Sequence, residues 1–543
     1  MAERPPLVLD YGAFQQPPNP LFRDYLTGQE RVRPFYAGAL WDLEALAASA
    51  DRACSHPRDR ERLARALVRQ QESRGAPDAA ALAAKLASTQ TAAVVSGQQP
   101  GVFGGPLFVL YKALAALRIA SALEKRRGAP VLPIFWVASD DHDFAEVRST
   151  SVLDEAGRIQ TLRYAPRREP VGQPASHIVF DDTISALIEE LRRCMAPSPH
   201  GDAALARLAA SYKPGATLSG AFAQFLSGLL PGLIVLDPSD PELKRLMAPV
   251  LAREIREESP TSRLAEEAGR ELLAASYHQQ VPVRPGFLNL FLLGEGERRS
   301  LGLTNGTLEV RGLGRRMPLV EAADLLERDA TPWSPGALLR PLAQDHILPT
   351  AAYVGGPAEI AYHAQIGGAY AHFGIPRPAL VPRPGVTLVE AAQARVLEAE
   401  DLQLTDLQAD PERLLARWAR DNYPAVEAAL VRVRASIERD MHTVQEALAA
   451  VDPTLGAAAE GTRDRALHQV ESLREKATRA LKKRDLARAE RLRRTRDALF
   501  PGGSFQERGL GLIGLIARHG EAVIDELRER MDPWARGHQV IYL

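Results

Sequence analysis

The chain has 543 residues, more than one ordinary hydrophobic core organises, so roughly two to four structural units are expected. Hydrophobic residues make up 45% and charged residues 25%, the balance of a soluble globular protein and not of a disordered or membrane-embedded one. Lys and Arg number 67 against 68 Asp and Glu, a formal net charge of -1, so no global charge favours nucleic acid or a membrane surface as partner. The start, MAERPPLVLDYG, lacks the basic and apolar regions of a secretory signal. No run of roughly 18 apolar residues appears. Cys54 and Cys194 stand far apart with no CxxC, which excludes a disulfide framework and a Cys-rich zinc site and suits a reducing cytoplasm.

In chain order, residues 20–90 read mainly as helices, with Leu43, Leu46 and Ala47 opening one apolar stripe and Leu63, Ala66, Leu67 and Gln70 another. Thr91–Val147 then reads as one β-loop-α-β unit. Ala92–Val95 is a short strand broken by Gly97-Gln98-Gln99-Pro100-Gly101. Gly104-Gly105-Pro106 opens a helix from Leu107 to about Lys125, with Pro106 in its first turn. Gly128 and Pro130 stop that helix, and Val131–Val137 is a buried strand running into Ser139-Asp140-Asp141-His142-Asp143.

Shorter β pieces are expected at Ile159–Tyr164 and Ser176–Phe180, then helices from about Thr183 to Leu229 with a loop at Lys213-Pro214-Gly215. Gly232–Pro238 is another short buried strand. Between Val281 and Gly314 the pattern turns antiparallel, with Asn305-Gly306 as a hairpin turn. Leu348–Val354 precedes a second Gly-Gly-Pro at 355–357, again opening a helix, and Ala379–Arg383 is the last strand expected. From Leu414 to Phe500 the composition changes. Leu430, Val433, Ile437, Met441, Val444, Leu448 and Val451 form a helical stripe. Asp452-Pro453 and Gly456 break it, and Leu467, Val470, Leu473, Ala477 and Leu481 begin a second. Two long helices around one break imply an antiparallel hairpin, closed by Pro501-Gly502-Gly503.

Three places hold candidate chemistry. The loop Gly97–Pro106, with Gln98, Gln99, Gly101, Gly104 and Gly105, offers backbone N–H groups ahead of a helix N-terminus, where an anion is favoured; it also reads as a plain strand-to-helix turn. In the cluster Asp140–Asp143, Asp141, His142 and Asp143 suit general acid–base work, with the carboxylates raising one another's pKa and the histidine gaining basicity. The same carboxylates suit a hard divalent cation or a helix N-cap. Gly355, Gly356, Glu359 and Tyr362 repeat the first loop's pattern, and a capped helix with a core tyrosine reads equally well. The basic stretch Arg474–Asp497 lacks aromatics and reads as a solvated helix face rather than a nucleic-acid surface.

These residues resemble the bacillithiol biosynthesis cysteine-adding family, BshC. The resemblance runs through Phe22-Arg23-Asp24-Tyr25-Leu26 and Val32-Arg33-Pro34-Phe35-Tyr36, then Ser96–Pro106. It continues with Phe135-Trp136-Val137-Ala138, Asp141-His142-Asp143-Phe144, Gly355-Gly356-Pro357-Ala358-Glu359 and Gln506-Glu507-Arg508. It implies an α/β fold, a Rossmann-like parallel-sheet core with two inserted connecting segments and a long antiparallel coiled-coil hairpin that mediates homodimerisation. On this reading 1–150 holds N-terminal helices and the first half of the core, and 151–230 a first insertion. Residues 231–280 return a core strand and helices, 281–345 a β-rich second insertion, and 346–400 the core again. The hairpin is 401–500, and 501–543 packs back on the core.

The implied reaction joins the carboxyl of cysteine to the glucosamine amine of glucosaminyl-malate. Asp141, His142 and Asp143 would be catalytic. Gln98, Gln99, Gly101, Gly104, Gly105, Gly355, Gly356, Glu359 and Tyr362 would bind substrate. Gln506, Glu507 and Arg508 would contact ATP or ADP, and no metal is assigned. The family core is similar to class I aminoacyl-tRNA synthetases, yet Gly104-Gly105-Pro106-Leu107 stands where their HIGH sequence would be, and no clear KMSKS follows. Two alternatives remain from the residues alone: a nucleotidyltransferase-type enzyme activating another small carboxylate or amine, and a non-enzymatic coiled-coil adaptor.

Overall fold

A computed structural model describes residues 5–37, 42–408 and 423–543 except Asp485, and side chains outside 481–486. Leu414 and the Leu481 side chain therefore lie outside the described residues. The chain divides into two compact units: Met1–Val389 with Phe505–Leu543, and Glu390–Ser504.

Five parallel strands build the centre of the first unit. In spatial order they are Ala379–Pro382, Thr350–Gly355, Ala92–Gln98, Val131–Val137 and Ile234–Leu236. Numbered by their order along the chain this is 5-4-1-2-3, the Rossmann arrangement, and the order reverses between Ala92–Gln98 and Thr350–Gly355. Every residue of Val131–Val137 is buried, which explains its continuous apolar run: a parallel strand covered on both faces needs no polar alternation.

The helix Phe108–Arg127 joins the first two strands. It is buried from Val109 to Leu117, and Gly128 ends it with φ 65°. Pro106 stands just before the N-cap Leu107 instead of in the first turn, because it forms a β-bridge with Gly511. The first strand also runs three residues beyond the expected Val95, since Gly97 and Gln98 keep pairing with Trp136 and Val137.

Ser149–Leu153 pairs with Ile159–Arg163 as a hairpin, whereas Ser176–Phe180 forms no strand and contributes only a bridge between Val179 and Thr217. Its expected β character is replaced by turns tied to Asp141 and Ser139 through Ala175 N and Ser176 N. A second sheet, antiparallel, consists of Phe287–Gly294, Glu297–Thr304, Thr307–Val310, Arg315–Pro318 and Trp333–Pro335. Asn305 (φ 48°) and Gly306 (φ 70°) turn its hairpin as their sequence requires. A third sheet pairs His538–Tyr542 in parallel with Gly385–Val389 and antiparallel to Leu7–Leu9.

In the second unit, Pro424–Ala449 and Pro453–Arg484 pack together, the break falling at Asp452-Pro453. Gly456 does not break the second helix but lies within it; its place opposite Ala449 leaves the helix intact. Leu430 is buried, while Val433, Val444, Val451 and Leu473 of the expected stripes are exposed.

Candidate active site

A cleft of ≈ 520 Å³ opens at the carboxyl ends of the central strands, at the point where strand order reverses. Parallel strands end there in loops and helix starts, so backbone and side chains converge on open space. Phe108, Trp136 and Tyr353 give it apolar walls, and Phe291 and Arg298 reach it from the antiparallel sheet.

Between the two reversing strands sits Lys112, only 2% exposed. Its ammonium donates to Gly97 O at 2.8 Å, to Gln98 Oε1 at 3.0 Å and to the Glu359 carboxylate. Glu359 also accepts from Tyr353 OH at 2.5 Å and from Gly356 N at 2.8 Å. Burial pushes the Glu359 carboxyl up, but Lys112 and these donors outweigh it and hold it below the usual range. Burial likewise lowers Lys112, more than Glu359 lifts it. The pair thus ties the long helix Phe108–Arg127 to the short helix Pro357–His363.

One end of the cleft is acidic. Gln99 Nε2 donates to Asp141 Oδ2 at 2.6 Å and to Glu146 Oε2 at 2.9 Å. Asp141 Oδ1 accepts from His142 N at 2.7 Å, which braces the turn. Among the described residues no Lys or Arg forms an ion pair with Asp141 or Glu146; Asp141 has only His142, at 3.8 Å. Burial, then the Arg298 guanidinium, push His142 down despite Asp141 and Asp143. The expectation that His142 gains basicity is therefore corrected: Arg298 Nη1 lies 3.3 Å from its Nδ1 and opposes the proton. Asp140, also on the cleft lining, is paired with Lys244, whose Nζ lies 2.6 Å from Oδ2 and which is 2% exposed.

The rest of the rim is rich in arginine. Arg340 donates to Tyr362 OH at 2.7 Å and Gln344 Oε1 at 2.9 Å. Arg298 donates to Ser334 Oγ and Pro335 O and stacks on Phe291, 3.8 Å from the ring centre. Arg508 lies 5.9 Å over Phe108. None of these three forms an ion pair with a carboxylate among the described residues, so their charge is available to an anion entering the cleft. Arg383 is committed, its Nη2 2.5 Å from Glu507 Oε1.

Residues 9–384 match the family described as "Bacillithiol biosynthesis BshC, N-terminal Rossmann-like domain", and residues 386–543 its "C-terminal coiled-coil domain". The chain belongs to the bacillithiol biosynthesis BshC family. Among its relatives, a protein of Salinibacter ruber is 34% identical over 99% of this chain and 97% of its own length. Proteins of Koribacter versatilis (34%, 93% of this chain and 94% of its own length) and Solibacter usitatus (34%, 96% and 97%) are similar too. All three bear the name "Putative cysteine ligase BshC".

Of the BshC residues singled out in the sequence, Gln98, Gln99, Asp141, Gly356, Glu359, Tyr362 and Arg508 line the cleft. Asp143 faces outward as the N-cap of Phe144–Val147, accepting from Glu146 N at 3.2 Å. Gly101, Gly104 and Gly105 lie behind the wall. The Tyr212 hydroxyl accepts from Gly104 N at 2.9 Å and donates to Gly101 O at 3.1 Å, while Gly105 N is spent on Val102 O. Gly355 lies beneath Glu359, with its carbonyl taken by Arg383 N. Gln506 spends both ends of its amide on the Leu388 backbone, and Glu507 is held by Arg383 and Val386 N. Only Arg508 of that triplet reaches the cleft.

Sequence reasoning missed Lys112, Arg298, Arg340, Arg383 and Glu146. One signal was present: Lys112 is the only charge between Leu107 and Leu117, in a helix apolar on every side. Nothing in the local pattern of Glu297-Arg298-Arg299 marks Arg298. Among the described residues no cluster of His, Cys, Asp and Glu is arranged for a metal ion, and no helix is long and apolar enough to cross a membrane.

Proposed function

We propose that this protein catalyses the last step of bacillithiol biosynthesis, the ligation of the cysteine carboxyl to the glucosamine amine of glucosaminyl-malate. The observation that carries this reading is the division of one cleft into two ends. Among the described residues Asp141 and Glu146 form an end with no Lys or Arg ion pair, suited to an amine. Arg340 and Arg508 form the remainder, suited to carboxylates or phosphates, while Arg298 stands beside His142 near the acidic end. Glucosaminyl-malate carries an amine and two carboxylates on one molecule and matches that division. The names of the relatives, as cysteine ligases, point the same way.

A carboxylate does not acylate an amine unaided at neutral pH, so a nucleoside triphosphate is the proposed co-substrate, with Arg508 the nearest residue of the Gln506–Arg508 triplet to receive it. The proposed setting is the cytoplasm. The proposed assembly is a homodimer through the helices Pro424–Ala449 and Pro453–Arg484, whose exposed Val431, Val433, Val444 and Leu473 favour a second copy.

The test is incubation of the purified protein with cysteine and glucosaminyl-malate, with and without ATP, followed by mass spectrometry of the thiol product. Formation of the cysteinyl amide is expected, and only with ATP. Unchanged substrates under both conditions reject the ligase reading; product without ATP rejects the co-substrate alone.

A further inference from the structure

Gln98 and Gln99 end the first core strand side by side, and the groups around them dictate which way each amide points. Lysine has donors only, so the Gln98 atom 3.0 Å from Lys112 Nζ must be the oxygen. Carboxylates have acceptors only when ionised, so the Gln99 atom lying 2.6 Å from Asp141 and 2.9 Å from Glu146 must be the nitrogen. These partners fix the orientation of both amides. Gln98 is left with its NH₂ and Gln99 with its carbonyl oxygen, and these two atoms are 3.5 Å apart in the cleft. At that distance their mutual hydrogen bond is weak, and each keeps capacity for a ligand.

We infer that this oriented pair straddles the reacting centre of the ligation: Gln98 Nε2–H donates to the carbonyl oxygen of the cysteine acyl group, and Gln99 Oε1 accepts an N–H of the attacking amine. The inference rests on the ligase reading above. An amide-forming addition places an oxygen gaining negative charge beside a nitrogen that is losing a proton. One needs a donor and the other an acceptor at adjacent positions. In the step, the C–N bond forms as the bond from carbon to a phosphate-type leaving group, derived from the nucleoside triphosphate, breaks. The leaving oxygen keeps the electron pair, and the amine's surplus proton passes to the Asp141 carboxylate, one hydrogen bond from Gln99. Lys112, held by Glu359, Gly97 and Gln98, is on this account a positioning residue: its three donors are all spent, and it acts through Gln98.

The decisive variant is Gln98→Glu in the full-length protein. It keeps size and the oxygen that Lys112 grips but removes the donor. Loss of one such donor lowers kcat by about 10²–10³-fold, and KM for cysteine and glucosaminyl-malate is expected to stay within about threefold. The positioning role is read from Lys112→Met/Glu359→Gln, which removes both charges of the pair together. Its loss in kcat and that of Gln98→Glu should not multiply in the triple variant, because both act on one amide. A Gln98→Glu enzyme with near wild-type kcat overturns the inference and leaves the ligase reading standing. Multiplying losses overturn the role of Lys112. Should the charge-free pair fail to fold, judged by circular dichroism, Gln98→Glu decides alone. A wild-type protein that makes no amide overturns both readings.

Discussion

The guanidinium of Arg383 and the carboxylate of Glu507, separated by 124 positions in the chain, meet at 2.5 Å with side chains 3% and 4% exposed. Arg383 follows the edge strand Ala379–Pro382, and Glu507 opens the C-terminal segment, so one buried ion pair anchors that segment to the cleft wall. Glu507 also accepts Val386 N, and the adjoining Gln506 bonds both backbone groups of Leu388. Burial works against the charge on Glu507, yet Arg383 holds its carboxyl below the usual range.

Removing one partner of such a pair strands the other charge in a dry site. Glu507→Ala is expected to cost about 3–5 kcal/mol of stability, measured by urea unfolding. A cost under about 1 kcal/mol would show that Arg383 finds water or another anion when Glu507 is gone.

The three aspartates of the Asp140–Asp143 cluster should separate cleanly. Asp140→Ala leaves Lys244 buried without its carboxylate and should destabilise by about 3–5 kcal/mol. Asp143→Ala removes an N-cap and should cost about 1 kcal/mol with activity retained. Asp141→Asn should leave the melting temperature nearly unchanged while abolishing product formation. Equal activity of Asp141→Asn and Asp143→Ala would remove Asp141 from the chemistry.

Arg340 offers its charge to the cleft while fixed by Tyr362 and Gln344. Arg340→Met should raise the KM for glucosaminyl-malate about 10–100-fold, the size of one charge-assisted hydrogen bond of roughly 1.5–3 kcal/mol. Kinetics at increasing salt provide the check, since the wild-type KM should rise with ionic strength and that of the variant should rise less.

The glycine loop offers a contrasting test. Gly104 has φ 87°, and a Cβ there would lie 2.8 Å from Phe225 Cε1, outside the cleft. Gly104→Ala is expected to cost at least about 2 kcal/mol through backbone strain and overpacking. The surviving folded fraction, assayed at low temperature, should keep a normal KM. A KM defect without instability would instead assign Gly104 to ligand binding.

Acid should destabilise the fold through buried histidines. Burial lowers His538 from 6.5 to about 4, with Arg383 adding to it and Glu507 opposing; burial also lowers His346 to about 4 and His363 well below its ordinary value. These rings are neutral when folded, and the unfolded chain takes up their protons first. Stability is therefore full above about pH 6.5 and is lost as pH falls toward 4. His538 alone accounts for about 3 kcal/mol at the bottom of that window. Melting temperatures of wild type and His538→Asn between pH 7 and pH 4.5 provide the measurement. The variant should show the shallower decline.

Much of the architecture was legible because it rests on local rules. Val131–Val137 reads as a doubly covered strand from its own residues. Gly128 stops a helix, Asn305-Gly306 turns a hairpin and Asp452-Pro453 separates two long helices, each by a backbone preference that needs no distant partner. The two Gly-Gly-Pro loops read alike in sequence but differ in the fold: Gly356 and Pro357 open a helix on the cleft, whereas Gly104 and Gly105 lie behind its wall and Pro106 precedes the helix.

What tertiary structure decided is which residues meet. Strand order 5-4-1-2-3 brings the end of Ala92–Gln98 beside that of Thr350–Gly355, and no local pattern encodes that adjacency. From it follows the Lys112–Glu359 pair, which sets how Gln98 points. Burial of His142, and then Arg298 brought to it by the antiparallel sheet, reverse the basicity expected from the neighbouring aspartates. Sequence by itself determined the central strands and the turns, since propensity and spacing act over a few residues, and its motifs carried the family resemblance. Charge pairing and desolvation act through space between residues hundreds of positions apart, so the polarity of the cleft belongs to the folded chain alone.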